Sequence, residues 1–568
     1  MSQTVAEVIV ETLQAAGVKH CWGAPGDTLN YVTDAIRRSG IKWVHVRHEE
    51  VGGFAAGAEA LLTGDLTACA GSCGPGSLHF INGLFESHRN RAPVVLIASQ
   101  ITSEERDFDF PQEVDFEQVY RSCSVYCSEI RSPAQARRKT AMAAQAALAK
   151  RGVAVLIVPV DISAAKAPAE PAFAVHRAAP LLRPSDGELD RIAEILNAGK
   201  KVAIYGGSGC QGAHDEIVAL AERLKAPIAH TSRAKDFLEY DNPFNVGLTG
   251  MLGNAGGYHT LKSCDTLLLL GCDFAWRQFY PDNAHIVQVD IDPTHLGRRH
   301  PVELGVVGDS KATAAALLSR LTARTDRAYL DDCLARHSKA FEALDKRATA
   351  TEGKIHPQYL ASLIDKHAAP DAIFTADAGS PTVWLLRHIT ANGRRRTMIS
   401  LTHGTMANAM PQALGAKRAF PDRQVISMSG DGGLAMLMGD LLTAIQEKIP
   451  IKIAVFNNGA LGFVELEMKV EGLLNAYTDL QNPDFSRVAE AIGFHSRRVE
   501  HAADLDAAVQ AWLAQPGPAL LDVVTSRMEL VMPPFVGAQQ AMGTALYSAK
   551  AILGGRAGDV WDLVKQNL

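Results

Sequence analysis

The spacing of apolar positions changes period repeatedly along this chain, and each change marks an element. Residues 5–16 place Val5, Val8, Ile9, Leu13 and Ala16 on one helical face. A short apolar run over 18–22 reads as a strand and ends at Gly23-Ala-Pro-Gly26-Asp27. A helix to about Arg38 follows, then a strand over 43–46. That strand ends at Arg47-His48-Glu49-Glu50, which opens an alanine- and glycine-rich helix through Leu61. Next come a strand over 66–70, the turn Gly71-Ser-Cys-Gly74-Pro-Gly76, a helix, and a strand over 93–98.

The same order returns near the other end. Residues 424–429 predict a strand, Gly430-Asp431-Gly432-Gly433 a turn, and the next segment a helix. A strand over 451–456 then runs into Asn457-Asn458. Both segments read strand, glycine turn, helix, proline (Pro93, Pro450), strand, which predicts two related α/β domains.

Between them, residues 166–170 are rich in Ala, Pro and charge and read as a linker. A strand over 202–205, the turn Gly207-Ser-Gly209-Cys-Gln-Gly212 and a helix over 215–224 give a formal G-x-G-x-x-G in its proper setting. The acid expected at the end of the next strand is missing, since 227–230 runs into Thr231-Ser-Arg233. NAD is therefore weakly supported, and a different dinucleotide stays open. Strands over 266–270 and 286–291 follow, and Gly308-Asp309 closes the last strand of this unit. A polar helical stretch over 326–352 leads to a third domain starting near His356-Pro357. The expected fold class is α/β, three doubly wound parallel sheets. The expected domains are 1–180, 181–335 and 336–530, with a tail over 531–568.

Composition changes this picture little. The 568 residues are too many for one core and suggest about three or four units. Apolar content of 47% and charged content of 21% are those of an ordinary globular chain. A net charge of −6 argues against nucleic acid as the main partner. The nine cysteines are odd in number and scattered. Cys69/Cys73 and Cys123/Cys127 are four apart, which is not zinc or redox spacing, so reduced thiols in a cytoplasmic protein are expected. Residues 1–17 lack a basic start and an apolar run, so no signal peptide is expected there, and no apolar stretch is long enough to span a bilayer.

Three features carry chemistry. Asp431 gives a hard carboxylate at a strand end, and Asn458 an amide oxygen at the end of the next strand. With a glycine turn open to a diphosphate, these are ligands for Mg2+. Glu49 stands at a strand-to-helix junction of the first domain, and Gly404-Thr405-Met406-Ala-Asn-Ala-Met410-Pro forms a glycine- and methionine-rich turn before the metal strand.

On these features the chain resembles the thiamine-diphosphate enzymes, whose signature is Gly-Asp-Gly followed later by Asn or Asn-Asn. Within them it is most similar to the pyruvate oxidases, in their quinone-dependent, acetate-forming branch. The most specific pieces are Arg47-His-Glu-Glu-Val51, Ala70-Gly-Ser-Cys-Gly-Pro-Gly76, Glu239-Tyr-Asp-Asn-Pro243, the stretch 403–416 and Met436-Leu-Met-Gly-Asp440.

The resemblance implies a role for each matching residue. Glu49 would bond N1′ of the aminopyrimidine, so that the 4′-nitrogen becomes a base beside C2. Gly404 would meet the 4′-amino group through its carbonyl, and Met406, next to Thr405, would hold the cofactor bent. Asp431, Asn458 and the Ala460 carbonyl would hold Mg2+, with Gly432 and Gly433 at the diphosphate and Gly459, Leu461 and Gly462 in the adjoining loop. Phe463 and Glu467 would lie beside the substrate. FAD would lie in the middle domain on Gly207, Gly209, Thr249-Gly250-Met251-Leu252, Cys272-Asp273-Phe274-Ala275-Trp276 and Asp290. The family's Phe-Gln pair is only half matched, by Gln112 after Pro111 with Phe110 one position earlier, which leaves the 2-oxo acid range open.

The activity implied is oxidative decarboxylation of pyruvate to acetate and CO2 through a thiamine-bound enamine, with electrons passing by FAD to ubiquinone or another quinone. A phosphate-dependent oxidase and an acetolactate synthase-type carboligase are the alternatives within the family. An NAD-dependent dehydrogenase is the alternative outside it, and it leaves Glu49, Asp431 and Asn458 unexplained. The family also implies a homo-oligomer, at least a dimer and by expectation a tetramer, with each cofactor between two subunits. In the tail, Met542, Ala545, Leu546, Ala549, Ile552 and Leu553 form one helical face, followed by Val560, Trp561, Leu563, Val564 and Leu568 with Lys550, Arg556 and Lys565 nearby. In the quinone-dependent relatives this tail anchors to inner-membrane lipid on the cytoplasmic side. Packing on the protein is the alternative.

Overall fold

The computed structural model describes residues 3–178, 180–349, 351, 353–527, 529, 538–553 and 561. Its strands form three six-stranded sheets in which all the strand pairs are parallel. The first contains β1 His20–Gly23, β2 Lys42–His45, β3 Thr67–Gly71, β4 Val94–Gln100, β5 Tyr126–Glu129 and β6 Val153–Pro159. The second contains β7 Val202–Gly206, β8 Ile228–His230, β9 Asn245–Leu248, β10 Thr266–Leu270, β11 His285–Asp290 and β12 Leu304–Val307. The third contains β13 Ile373–Ala376, β14 Arg396–Ile399, β15 Val425–Gly430, β16 Lys452–Asn457, β17 His495–Val499 and β18 Ala519–Val524.

The central strands are continuous apolar runs because helices cover both faces of a parallel sheet. Every residue of β4, β6 and β16 is buried. Strand order runs β2-β1-β3-β4-β6-β5 in the first sheet and β14-β13-β15-β16-β18-β17 in the third. The two terminal domains thus repeat one topology, as their shared strand–turn–helix order predicts. The middle sheet runs β12-β11-β10-β7-β8-β9, the dinucleotide-fold order read from its far edge.

In each sheet the chain changes winding direction between two adjacent strands, and the loops leaving those strands open a crevice where ligands bind. The loop pairs follow β1 and β3, β7 and β10, and β13 and β15. The glycine turns 23–26, 71–76, 207–212 and 430–433 lie there, whereas the 404–410 turn follows β14.

The first and third domains touch through small residues. Helix Glu49–Thr63 packs on Ile81–Arg89 and on Ala409–Ala419. A side chain on Gly57 would collide with Ser87, and one on Gly415 with the Ala55 carbonyl, so glycine sets how closely these helices approach. Asp440 locks the junction further by accepting the backbone N–H groups of Arg47 at 2.8 Å and His48 at 3.1 Å.

The described tail is the helix Ala538–Leu553, packed on helix Gly462–Val470. Tyr547 and Ala551 are buried there, and Lys550 donates to the Gly472 carbonyl at 2.8 Å. The apolar positions read from the sequence point elsewhere. Met542 is 72% and Leu553 88% exposed, with Leu546, Ile552 and Trp561 exposed too. Val560, Leu563, Val564, Leu568, Arg556 and Lys565 lie outside the described residues. No helix among the described residues is long and apolar enough to cross a membrane, and all nine cysteines are free.

Candidate active site

One cleft of about 760 Å3 runs from the crevice of the middle sheet to that of the third. Its third-domain wall carries Asp377, Gly404, Met406, Asp431, Gly432, Gly433, Asn458, Ala460, Leu461, Gly462, Phe463 and Glu467. Its middle-domain wall carries Gly207, Thr249, Gly250, Met251, Leu252, Cys272, Asp273, Phe274, Ala275, Trp276 and Asp290. The structure therefore brings into one cavity nearly all the residues expected at two separate cofactors. Thr405 and Gly459 adjoin the wall, and Gly209 packs behind it.

Asp431 begins the short helix Asp431–Leu437 at the end of β15 and is 3% exposed. Its Oδ1 accepts Gly432 N–H at 2.9 Å, and its Oδ2 accepts Gly459 N–H and the Asn482 amide, each at 2.8 Å. Burial holds its carboxyl above the ordinary carboxylate range, and these donors pull it partway back. Asn458 Oδ1 accepts Ala460 N–H at 3.1 Å, which curls the loop after β16. Among the described residues no three His, Cys, Asp or Glu side chains converge on a metal. A cation here would use the Asp431 carboxylate, the Asn458 amide oxygen and a loop carbonyl, a hard-oxygen set suited to Mg2+.

Beneath this turn stands Asp377, which the sequence analysis missed. Its Oδ1 accepts Ala409 N–H and its Oδ2 accepts Gly430 N–H, both at 3.0 Å, so it ties the turn after β15 to the 404–409 segment. Burial pushes its carboxyl up to about 7. A side chain on Gly433 would collide with the same carboxylate, and one on Gly432 would lie 3.3 Å from the Met406 methyl. Gly404 has φ +80 and Ala407 φ +64, so two residues of this turn occupy the left-handed region.

In the middle domain the glycine turn does not lead straight into its helix. A 3-10 turn, Ser208–Cys210, intervenes before His214–Leu224. Gly207 and Gly209 are instead required by the neighbouring loop, since a side chain on either would collide with Gly271. Among the described residues Thr249 Oγ1 is buried without a hydrogen-bond partner beside the cleft, and Asp290 accepts from His295 at 3.1 Å and from Asp292 N–H at 2.9 Å. Arg298 and Arg299 hold Asp273 and keep its carboxyl below its ordinary range.

Glu49 and Gln112 do not line this cleft. They stand together at the crevice of the first sheet. Glu49 Oε2 meets His79 Nδ1 at 2.9 Å, and His79 stacks on His48 with 4.7 Å between centroids. Gln112 accepts from Cys73 Sγ at 3.3 Å and presses on Gly74. Phe110 is 43% exposed. The expected catalytic residues thus fall into two groups, Phe463 and Glu467 on the cleft and Glu49 and Gln112 outside it.

Asn482 and Asp377 carry no motif of their own. The one available sign was Asp377 at the end of an apolar strand, the place in the third domain that the turn after β1 fills in the first.

Comparison with known proteins follows the three sheets. Residues 3–119, 189–317 and 377–523 match the models described as the thiamine pyrophosphate enzyme N-terminal TPP binding domain, central domain and C-terminal TPP binding domain. A putative thiamine pyrophosphate-containing protein, YdaP, of Bacillus subtilis is 34% identical over 555 residues, 96% of each chain. A pyruvate oxidase of Lactiplantibacillus plantarum is 30% identical over 528 residues, 91% of this chain and 87% of that one. An acetolactate synthase large subunit of Parasynechococcus marenigrum is 28% identical over 550 residues, 93% of this chain and 88% of that one.

Proposed function

The chain belongs to the thiamine pyrophosphate enzymes, and from that footing we propose that it oxidises pyruvate and water to acetate and CO2, with thiamine diphosphate, Mg2+ and FAD bound, and reduces a quinone. The observation that carries this reading is the single cleft reaching from Asp431 and Asn458 to Gly207, Thr249 and Cys272–Trp276. A cofactor on each wall would share one space, so electrons would have only a short way to pass.

When bound, thiamine diphosphate supplies a carbon that adds to a 2-oxo acid and accepts the electron pair left by CO2, and flavin takes up two electrons. The chain's residues hold and orient. Asp431, Asn458 and the Ala460 carbonyl hold Mg2+, and the small residues Gly432 and Gly433 let backbone N–H groups reach the diphosphate. Met406 would support the bound cofactor, and the Gly404 carbonyl would take its amino group. Phe463 and Glu467, on helix Gly462–Val470, face the substrate. The buried Thr249 hydroxyl, without a partner among the described residues, and the loop carrying Cys272–Trp276 suit the dinucleotide. Glu49 holds the proton at N1′. Because it lies with Gln112 outside its own chain's cleft, the complete site needs a second copy, hence at least a dimer and by family a tetramer. The exposed Met542, Leu546 and Leu553 beside Lys550 suit contact with inner-membrane lipid.

Anaerobic mixing tests the reading. Purified protein should be yellow, and the flavin should bleach only when pyruvate, thiamine diphosphate and Mg2+ are all present. Acetate should be the product with an artificial acceptor. A colourless protein that still decarboxylates pyruvate overturns the oxidase reading. The acetolactate synthase relatives support a second reading, carboligation, which acetolactate as the main product would establish.

A further inference from the structure

We infer that Glu86 is a positioning residue for the cofactor turn, acting through Ser400 on the backbone of Gly404 and Thr405. The inference rests on the thiamine-diphosphate reading of the cleft and adds to it an anchor from a different domain.

Glu86 is on helix Ile81–Arg89 of the first domain and is 2% exposed. Its Oε2 accepts the Ser400 hydroxyl at 2.6 Å, and its Oε1 accepts the Asn90 and Gln412 amides at 2.5 and 3.2 Å. Ser400 follows β14 in the third domain and lines the cleft. With its proton committed to Glu86, the Ser400 oxygen is oriented to accept two backbone N–H groups, Gly404 at 3.1 Å and Thr405 at 3.0 Å. A serine hydroxyl otherwise rotates to suit its surroundings. The buried carboxylate removes that freedom.

The turn needs such an anchor because Gly404 and Ala407 both have positive φ. Asp377 holds its far end through Ala409 N–H. Helix Ile81–Arg89 holds its near end, and it does so with one face. Asn82, one turn before Glu86, donates to Thr405 Oγ1 at 3.1 Å and bonds His403 at 2.8 Å, while Phe85 stacks on the His403 ring. Asn82 also donates to Glu50 at 2.7 Å, the residue beside Glu49. Glu50 is thus part of the clamp rather than an idle helix-start carboxylate.

The experiment uses full-length protein with Glu86→Ala, Glu86→Gln, Ser400→Ala and the Glu86→Ala/Ser400→Ala double variant. Two quantities are read. One is amide hydrogen exchange over residues 400–407 in protein free of thiamine diphosphate. The other is the dissociation constant for thiamine diphosphate at saturating Mg2+, by calorimetry. Glu86→Ala and Ser400→Ala should each speed exchange there and weaken cofactor binding about ten- to hundredfold, the range for losing a supporting hydrogen bond behind a ligand site. The double variant should be little worse than either single one, because both remove the same link. Glu86→Gln should restore most of the affinity, since its amide oxygen accepts from Ser400 while Asn90 turns its own oxygen to its N–H and Gln412 keeps its oxygen on Asn408. Additive effects, unchanged exchange, or affinity within about twofold of wild type in Glu86→Ala overturn the inference. If the wild-type chain binds no thiamine diphosphate, the functional reading fails and the exchange measurement alone decides the clamp.

Discussion

Asn482 offers the sharpest test of the metal half of the site, because it touches Asp431 without being a ligand in the proposed set. Asn482→Ala removes two hydrogen bonds, 2.8 Å to Asp431 Oδ2 and 3.1 Å to Asn457 Oδ1. A bond to a charged acceptor contributes about 1.5–3 kcal/mol and a neutral one about 0.5–1.5 kcal/mol. The turn itself survives, since Asp431 keeps Gly432 and Gly459 N–H and Asn457 keeps its bond to Asp522 at 2.9 Å. The loss therefore falls mainly on the orientation of the Asp431 carboxylate. Partners behind a metal ligand typically govern about 10- to 100-fold in metal affinity, which is about 1.4–2.8 kcal/mol. Titrating Mg2+ into metal-free protein with saturating thiamine diphosphate reads this directly. Half-saturation should rise by that factor, with dinucleotide content unchanged. Half-saturation within about twofold of wild type would refute the reasoning, because the orientation of Asp431 would then not matter to the cation.

Other predictions follow the same geometry. Glu49→Gln should lower turnover by about 10²- to 10⁴-fold while Mg2+-dependent cofactor binding stays measurable; near-normal turnover would remove Glu49 from the mechanism. Mixing Glu49→Gln chains with Asp431→Ala chains should recover activity in mixed oligomers, and none would be recovered if each chain built its own site. Gly433→Ala drives a methyl into Asp377 and should abolish thiamine diphosphate binding while flavin is retained; unchanged binding would show that the turn yields freely. Burial pulls the His388 imidazole down to about 4, and its Nε2 has no hydrogen-bond partner among the described residues. The unfolded chain therefore binds the proton first, so this contribution is full above about pH 6.5 and falls by about 3 kcal/mol as pH drops toward 4. His388→Gln should flatten that acid limb in denaturant titrations of the third domain, and parallel limbs would contradict it.

What the sequence determined about this protein is local. Parallel strands buried on both faces appear as apolar runs, so 202–205 and 266–270 were legible within a residue, although the equally apolar Val153–Pro159 is not among the strands expected. Glycine turns appear because a backbone must pass close to something, and the pair Asp431 and Asn458 was legible because each stands at the end of its own strand. The recurrence of strand, turn, helix and proline at both ends foretold that the first and third sheets would share one strand order.

Tertiary structure alone decided which groups support that chemistry. Asn482 lies 51 residues from Asp431, Asp377 lies 53 from Gly430, and Glu86 lies 314 from Ser400. No periodicity spans such separations, and a lone Asn, Asp or Glu looks like any other polar position until folding brings its acceptor or donor near. The tail shows the same limit. Its apolar face was legible, but Tyr547 and Ala551 on the other face make the contact with helix Gly462–Val470, because the surface offered there, and not the helix's own pattern, selects the packed side. Sequence also could not divide the site. Glu49 belongs with Asp431 by chemistry, yet the close packing of helix Glu49–Thr63 on Ala409–Ala419 fixes it at the crevice of its own sheet, away from the cleft of the same chain.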